Sequence, residues 1–504
     1  MRSFPSASPF TANIKAVFWV VAALVYVLRA IYIIYFPEIF FWGDSMQYFE
    51  TVVLFDKTGE LIFHLARTPF YPVFILLCIK IFGILSIIII QHITLCAMII
   101  AMAYVLLSIY PNKYGLMVSL AFLMLSAFSP SQFLFVSFIM TEGLQTQFYI
   151  AVVIFYYLFS KRSRPVYLIL LAGMIVCCIM LRPVNMILVP ITALCLAPRI
   201  SRKNLWRLAA FLCLAVLAVW PLAGRIPLSH LVGVNLAKFY GHLISIDTSP
   251  NREYKQAIRE THLWNLKQRA FMTKEQLLYS GNAYAFGESS YRDILMRRFN
   301  LPLRQAQEIV TSMVLEGIRN HPGQAAGLVL KKALYLYGGF AGASQKDYGR
   351  IVDDWAAGPF PAWAKGHYEK VLRFYGMPAE DDASRKQRYE RAWFCIRPLE
   401  RLTGFFAAAD KYALWAGIIL FPCVLFSARH RNLGLFVFLW IHGYIAALCV
   451  LVNANARFYQ PLTVPVFFLL ALEILAMLER ALARRGAGRA GNSQREKPQA
   501  SVAP

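Results

Sequence analysis

Long apolar runs alternate with short polar segments along most of the chain. A helix needs about 20 apolar residues to cross the ~30 Å hydrocarbon layer of a bilayer, and ten segments approach that length. They cover residues 15–36, 84–109, 115–129, 134–159, 165–181, 184–198, 205–224, 412–427, 432–452 and 460–478. The pattern predicts an all-α polytopic membrane protein with about ten transmembrane helices.

The first long connection, residues 37–83, contains two further apolar patterns that do not reach spanning length. Residues 45–57 place their apolar side chains on one helical face, and residues 69–82 are apolar but too few to cross. We expect both to form amphipathic helices that lie in the membrane interface.

Clusters of Lys and Arg decide the orientation of the predicted helices. The clusters "KRSR" (161–164), "RISRKNLWR" (199–207) and "ARHR" (428–431), and the basic tail, all fall on one side when the spans alternate. The positive-inside rule makes that side the cytoplasm. The segments that then face the exterior are 37–83, 129–133, 181–185, 225–411 and 453–460.

The spacing of the spans divides the chain into four parts. Residues 1–224 form a transmembrane module that includes the exterior loop 37–83, and residues 412–480 form the last helices. Between them, residues 225–411 mix helical patterns with turn signals, which predicts a mainly helical exterior domain large enough to bury a core of its own. Residues 481–504 are expected to be a disordered basic cytoplasmic tail.

Composition agrees with a membrane protein and narrows its partners. The chain of 504 residues is 58% hydrophobic and carries 51 Lys and Arg against 27 Asp and Glu, a net charge of +24. In a membrane protein this excess fits cytoplasmic loops and anionic lipids rather than nucleic acid, and it also suits a lipid-phosphate ligand. Most of the nine cysteines lie in apolar segments, so we expect neither a disulfide framework nor a cysteine zinc site.

Two acids stand near the exterior membrane surface. Asp44, with Gln47 three residues on, could form a capping box, or it could accept a proton. Glu142 lies about 25 Å above the cytoplasmic end of its predicted helix, and Gln145 and Thr146 extend its polar face. A carboxylate at such a depth costs at least ~2.5 kcal/mol, so it usually faces a functional cavity.

Arginines and aromatic residues accompany these acids on the same side. Arginine binds phosphate through two parallel hydrogen bonds, and an acid beside it can deprotonate an attacking hydroxyl. A phosphate at the lipid–water boundary indicates a polyprenyl-phosphate leaving group and a transferred sugar. The candidates are Asp44 and Glu142 as catalytic residues, Arg67, Arg182 and Arg457 as donor-phosphate ligands, and Trp42, Tyr48, Tyr71, Gln145 and Tyr459 as pocket residues.

At these residues the chain resembles the GT-C class of membrane glycosyltransferases, in particular the branch of protein O-mannosyltransferases and the lipid A aminoarabinose transferase. Five segments carry the resemblance, in the order in which the family has them. They are "GDSMQYFE" (43–50), "RTPFYPVFILLCIKIFG" (67–83), "SPSQFLFVSFIMTEGL" (129–144), "LRPVNMILVP" (181–190) and "ARFYQPLTVP" (456–465).

The resemblance implies an inverting transferase that uses an undecaprenyl-phosphate or other polyprenyl-phosphate sugar at the periplasmic face of the bacterial inner membrane. It makes Asp44 the catalytic base and Arg457 a donor-phosphate ligand. Many relatives have a second acid where this chain has Ser45, and the glycine of the family's Arg-x-Pro-Gly stretch is Phe70 here. If that second acid binds a metal or orients the acceptor, either Glu142 substitutes for it or the step is absent. We assign no metal ligand, and a divalent cofactor stays an open alternative.

Two other functions remain open from the sequence. A transporter or flippase for lipid-linked saccharides would also need arginines and an aromatic rim, although such proteins tend to show internal repeats and polar sites at the midplane. A polysaccharide ligase or polymerase would share the chemistry. The acceptor is a lipid, a glycan or a protein. Among the remaining residues, we expect His92 to be a hydrogen-bonded core histidine, and Lys331 and Lys332 to meet donor phosphate or to lie on a membrane-surface helix.

Overall fold

The computed structural model is helical throughout the residues that it describes, which are 9–35, 39, 45–61, 68–129, 132, 136–137, 139–199, 206, 236, 240–244, 251–258, 291–338, 409, 412–427, 431–451 and 460–495. The helices of the first half are α1 (Pro9–Tyr35), α2 (Ser45–Thr58), α3 (Phe70–Phe82), α4 (Ser86–Ile109), α5 (Lys113–Ala127), α6 (Thr141–Arg162), α7 (Pro165–Leu181) and α8 (Leu188–Leu196). Those of the second half are α9 (Tyr291–Phe299), α10 (Leu303–Asn320), α11 (Pro322–Gly338), α12 (Tyr412–Leu425), α13 (Arg431–Leu451) and α14 (Thr463–Arg495).

The described helices make this a multi-pass membrane protein. Four of them, α1, α4, α6 and α13, are long and apolar enough to cross a bilayer, and α3, α5, α7, α8 and α12 are shorter apolar helices. The two non-spanning helices expected in the first exterior loop are present as α2 and α3, within a residue of their predicted ends. The predicted span 205–224 lies outside the described residues.

Several helix boundaries differ from the sequence prediction, including the following three. The span predicted at 134–159 is interrupted, because Met140 is extended (φ −145°, ψ 156°) and α6 begins only at Thr141. The span predicted at 184–198 begins with a 3₁₀ helix, Pro183–Ile187, before α8. α14 continues past 481, where a disordered tail is predicted, to Arg495; Ala and Arg make up eight of these fifteen residues and favour a helix, whereas the three glycines do not.

The membrane core is built around α6. This helix packs against α4, α7, α13 and α14. Its contact with α13 is aromatic: Tyr149 meets Trp440 edge to face at 4.6 Å between ring centroids, and Tyr156 stacks on Phe436 at 4.0 Å. Such pairs add about 0.5–1.5 kcal/mol each beyond their burial, so they fix α6 and α13 against one another.

A second, smaller core covers the predicted exterior ends of these helices. Tyr48, Phe49 and Val52 of α2 pack with α3 and with Ile87, Leu144 and Leu181, which come from α4, α6 and α7. α2 and α3 therefore lie directly above the ends of three core helices. This arrangement brings the first exterior loop to the beginning of α6.

A buried arginine joins α1 to the connection that precedes α6. Arg29 is 1% exposed and donates to the carbonyl oxygens of Ala127 at 2.7 Å and Gln132 at 3.3 Å. It also contacts Nδ1 of His92 at 3.4 Å, and Nε2 of His92 lies 2.9 Å from the Ser137 hydroxyl. His92 is thus a hydrogen-bonded core histidine, as expected.

The described part of the predicted exterior region is also helical and has its own core. Tyr240 and Leu243 pack with α9 and α10, and the buried Lys255 pairs with Glu316 at 2.8 Å. α11 follows and contacts α13. There the Lys332 ammonium donates to the carbonyl oxygen of Cys449 at 3.2 Å, near the C-terminal end of α13.

Candidate active site

The candidate site begins at the N-terminus of α6, where Glu142 lies in the first helical turn. A carboxylate is favoured there by the partial positive charge of the unsatisfied backbone N–H groups, typically by 0.3–1 kcal/mol. The Glu142 side chain is only 1% exposed, so this helix end holds a charge that is cut off from solvent.

Arg182 provides the charge partner of Glu142. It stands at the C-terminal cap of α7 in an extended conformation, and Pro183 follows it, so the chain leaves the helix at this point. Its Nη2 donates to Oε1 of Glu142, and its Nε donates to the Thr141 hydroxyl at 3.1 Å. The sequence predicted both residues for one site, and the structure brings them into direct contact.

The electrostatics of the pair follow from its burial. Loss of water would by itself lower the pKa of Arg182, but the Glu142 carboxylate reverses this effect and raises the pKa above its ordinary value, with further contributions from Tyr444 and Tyr48. The guanidinium therefore stays charged at every physiological pH. Its 14% exposed side chain is the most accessible part of the pair.

An amide and hydroxyl network extends the site along α6. Nε2 of Gln145, one turn after Glu142, lies within hydrogen-bond distance of three oxygens: the Tyr149 hydroxyl, Oδ1 of Asn185 at 3.4 Å and the Tyr444 hydroxyl at 3.3 Å. Its two hydrogens can donate to two of these at a time. Asn185 in turn donates to the carbonyl oxygen of Cys178 at 2.6 Å. The network joins α6, α7 and α13 beside the ion pair, so the polar face predicted from Gln145 is directed between helices, where its Oε1 is buried without a hydrogen-bond partner among the described residues.

Two tyrosines from the exterior helices complete the described part of the site. Tyr48 of α2 meets Tyr71 of α3 edge to face at 5.0 Å, and the Tyr71 hydroxyl accepts from Gln91 at 3.4 Å. Tyr71 is within electrostatic range of Glu142, and Tyr48 is within range of Arg182. Both predicted tyrosines also pack in the same small core as Leu144 and Leu181, which are close to Glu142 and Arg182 in the sequence, so they lie in the same region of the structure as the ion pair.

Half of the predicted site residues lie outside the described residues: Trp42, Asp44, Arg67, Arg457 and Tyr459. Their described neighbours are Ser45, which begins α2, Thr68, whose hydroxyl donates to the carbonyl oxygen of Leu181 at 2.9 Å, and Gln460, which begins a 3₁₀ turn that packs against α6. A helix that begins at Ser45 is what the capping alternative for Asp44 expects.

Four residues of the site were not among those predicted from the sequence. Thr141 is adjacent to Glu142, and Asn185 is three residues after Arg182. Both are polar residues in apolar sequence, and this could have identified them as site residues. Tyr149 and Tyr444 lie inside long apolar runs, where a tyrosine is unremarkable. Within the described ranges, no group of three or more His, Cys, Asp or Glu side chains could hold a metal ion.

No protein-family model matches this chain, and no curated protein matches it. The structure is similar to the archaeal oligosaccharyltransferase AglB from Archaeoglobus fulgidus in complex with an inhibitory peptide and a dolichol-phosphate, with 12% identity and a TM-score of 0.39 over 96% of this chain and 52% of that one. It is also similar to ArnT from Cupriavidus metallidurans bound to undecaprenyl phosphate, with 12% identity and a TM-score of 0.32 over 91% of this chain and 77% of that one. This chain spans about half the length of the archaeal protein.

Proposed function

We propose that the protein is an inverting glycosyltransferase, which transfers a sugar from a polyprenyl-phosphate donor to an acceptor hydroxyl at the periplasmic face of the inner membrane. One observation carries the proposal: a buried arginine–glutamate pair at the ends of membrane helices, beside tyrosines of the first exterior loop. A buried ion pair at the ends of membrane helices is costly, and it is retained most often where it serves a site.

In this proposal Arg182 holds the donor phosphate and Glu142 orients Arg182. The guanidinium is fixed by two bonds, from Nη2 to Glu142 and from Nε to Thr141, so its plane is set before a ligand arrives. A preorganised cation in a region of low dielectric stabilises developing phosphate charge without the cost of reorganisation. Arg67 and Arg457 are proposed as the other phosphate ligands.

Asp44 is proposed as the catalytic base. It takes the proton of the acceptor hydroxyl, whose oxygen attacks the anomeric carbon on the face opposite the phosphate. The bond from the anomeric carbon to the phosphate oxygen breaks, and the electron pair leaves with the polyprenyl phosphate, whose charge the arginines stabilise. One bond forms and one breaks on opposite faces, so the configuration inverts.

The position of α2 supports this role for Asp44. Asp44 is bonded to Ser45, and Tyr48, one helical turn further on, is within electrostatic range of Arg182. Consecutive Cα atoms are about 3.8 Å apart, so the chain holds Asp44 close to the beginning of α2. The same covalent tether applies to Arg457 and Tyr459, which shortly precede Gln460.

The sugar is proposed to occupy a pocket formed by Trp42, Tyr48, Tyr71, Gln145 and Tyr459. Aromatic faces and a few well-placed polar groups are the usual lining of such a site. The acceptor, whether lipid, glycan or protein, would reach this pocket from the periplasm.

The test begins with the mass of the lipid that co-purifies with the protein, which is expected to be a polyprenyl-phosphate sugar. In proteoliposomes supplied with that lipid and with a cell-envelope extract as the source of acceptor, the wild-type protein is expected to transfer the sugar to the acceptor and to release polyprenyl phosphate. Asp44→Asn should reduce this release by about 10²- to 10⁴-fold while donor binding persists.

A matched carboxylate serves as the control. Asp56 lies on α2 and forms an ion pair with Lys80 at 2.6 Å; the side chain of Lys80 is 53% exposed. Asp56→Asn should therefore retain turnover. Undiminished turnover in Asp44→Asn would refute the role of Asp44 as the catalytic base. Movement of the intact donor across the bilayer without release of polyprenyl phosphate would indicate a transporter instead.

A further inference from the structure

One face of α13 contacts two different helices in succession. Gly434, Phe438, His442 and Cys449 are spaced by four, four and seven residues, which places them on one side of the helix. Since α13 is predicted to run from the cytoplasm to the exterior, these residues mark increasing distance from the cytoplasmic end. Each of them has a described partner from α12 or α11.

α12 occupies the cytoplasmic half of this face. Val424 packs against Gly434, where any side chain would collide with it, and Phe421 stacks on Phe438 at 3.7 Å between ring centroids. α12 consists of about 14 residues and is ~21 Å long, which is short of the ~30 Å hydrocarbon layer. By itself it does not complete a crossing.

α11 occupies the exterior half of the same face. The Tyr337 hydroxyl is 2.7 Å from Nδ1 of His442, and the Lys332 ammonium is 3.2 Å from the carbonyl oxygen of Cys449. α11 therefore runs antiparallel to α13, with its C-terminal end pointing toward the cytoplasm. His442 lies nine residues before the end of α13, which places Tyr337 ~13 Å below that end.

The two helices meet end to end. The indole N–H of Trp415, in the first turn of α12, donates to the carbonyl oxygen of Tyr337, in the last turn of α11, at 2.9 Å. The last carbonyls of a helix lack partners within the helix, and at membrane depth an unsatisfied carbonyl costs several kcal/mol. Trp415 supplies a donor for one of them where the crossing is interrupted.

We propose that α11 and α12 together form one interrupted membrane crossing, in which Leu330 and Leu334 of α11 contact the acyl chains of the exterior leaflet. These two side chains are 59% and 62% exposed, and on α12 the side chain of Ile419 is 70% exposed. Exposed apolar side chains at that depth are more stable in contact with hydrocarbon than with water. Part of the predicted exterior domain thus returns into the bilayer, and its partner is lipid.

Collision accessibility of nitroxide side chains tests this proposal without any assay of activity. The full-length protein carries one label, at Leu330, Leu334, Ile419 or Glu308, in vesicles of phosphatidylethanolamine and phosphatidylglycerol. Ile419 is the hydrocarbon reference, and Glu308, whose side chain is 64% exposed on α10, is the aqueous reference. The readout is the ratio of oxygen to nickel-complex accessibility.

The expected result is a ratio at Leu334 close to that at Ile419, with Leu330 between Leu334 and Glu308. A ratio at Leu334 equal to that at Glu308 would overturn the proposal. All four positions are exposed, so the labels should leave the fold intact, and elution of each variant as the parent protein on size exclusion checks this. Loss of the Tyr337–Trp415 contact by Trp415→Phe should leave the order of the ratios unchanged, since the packing of α11 against α13 sets the depth.

Discussion

At the scale of single residues, the Glu142–Arg182 pair combines two charges that bulk water hardly reaches. Their side chains are 1% and 14% exposed, so each charge depends on the other for stabilisation. Removal of one partner of a buried pair typically costs 3–5 kcal/mol, whereas replacement of both by apolar or neutral groups costs little or even stabilises.

The single variant Arg182→Met is therefore expected to destabilise the protein by about 3–5 kcal/mol, because it leaves the Glu142 carboxylate buried and uncompensated. The double variant with Glu142→Gln should recover most of this loss. The measurement is thermal unfolding of the detergent-solubilised protein. If the double variant lost as much stability as the two single variants together, the two residues would not depend on each other.

The exposed pair Arg304–Glu308 is the natural control for this cycle. Its side chains are 86% and 64% exposed, and its spacing is i, i+4 on α10. Such pairs contribute about 0.3–0.5 kcal/mol, so Arg304→Met should hardly change the melting temperature.

The sequence identified both members of the buried pair but not their contact. Glu142 was recognisable because a carboxylate is costly inside an apolar run, and Arg182 because it precedes a proline at a predicted helix end. Nothing in the sequence pairs residues 40 positions apart on neighbouring helices. Tyr444 illustrates the limit: one tyrosine in an apolar helix carries no sign that its hydroxyl meets Gln145.

At the scale of secondary-structure elements, the connection between α5 and α6 is held by α1. Arg29 donates to the carbonyl oxygens of Ala127 and Gln132, and it contacts His92 on α4. Because Arg29 only donates, Nδ1 of His92 accepts, and Nε2–H can donate to Ser137. The arginine thus ties the end of α1, which leads into the first exterior loop, to the segment that leads to Glu142.

Arg29→Met should destabilise the protein by about 2–5 kcal/mol, because two buried carbonyl oxygens and a histidine nitrogen lose a charged donor. Arg29→Lys should lose less, since an ammonium can still serve part of the network. Melting temperatures of the purified variants measure the effect. A melting temperature of Arg29→Met equal to that of the exposed Arg304→Met would contradict the assigned role of this network.

Helix ends were the elements that sequence reasoning predicted least well. An apolar run such as 134–140 indicates a segment in the membrane but contains no glycine or proline that would end a helix. The extended conformation of Met140 could therefore not be predicted from the sequence. α2 and α3 were predicted to within a residue because Gly59, Pro69 and Gly83 bracket them. A helix end that is set by a glycine or a proline can be predicted from the local sequence. A helix end that is set by packing cannot be predicted without knowing which helices are adjacent.

At the scale of the whole molecule, the orientation in the membrane rests on the distribution of Lys and Arg. The last turn of α6 contains Lys161 and Arg162, the short loop after it contains Arg164, and this junction with α7 is predicted to be cytoplasmic. The loop after α2, with Glu60, is predicted to be periplasmic. Both loops have exposed residues, so they can be labelled from solution.

In a cysteine-free background, Glu60→Cys should react with a membrane-impermeant maleimide in intact spheroplasts. Ser163→Cys should react only after the membrane is permeabilised, because the positive-inside rule keeps its loop in the cytoplasm. The opposite pattern would invert the topology and move the proposed site to the cytoplasmic face.

The most direct test of the account is an experimental structure of the full-length protein bound to undecaprenyl phosphate. We expect the phosphate at the periplasmic boundary, with Arg182 and at least one of Arg67 and Arg457 within hydrogen-bond distance, and with the Asp44 carboxylate facing the same pocket. A phosphate bound away from Arg182, or an Asp44 carboxylate that shares no pocket with it, would contradict the central claim.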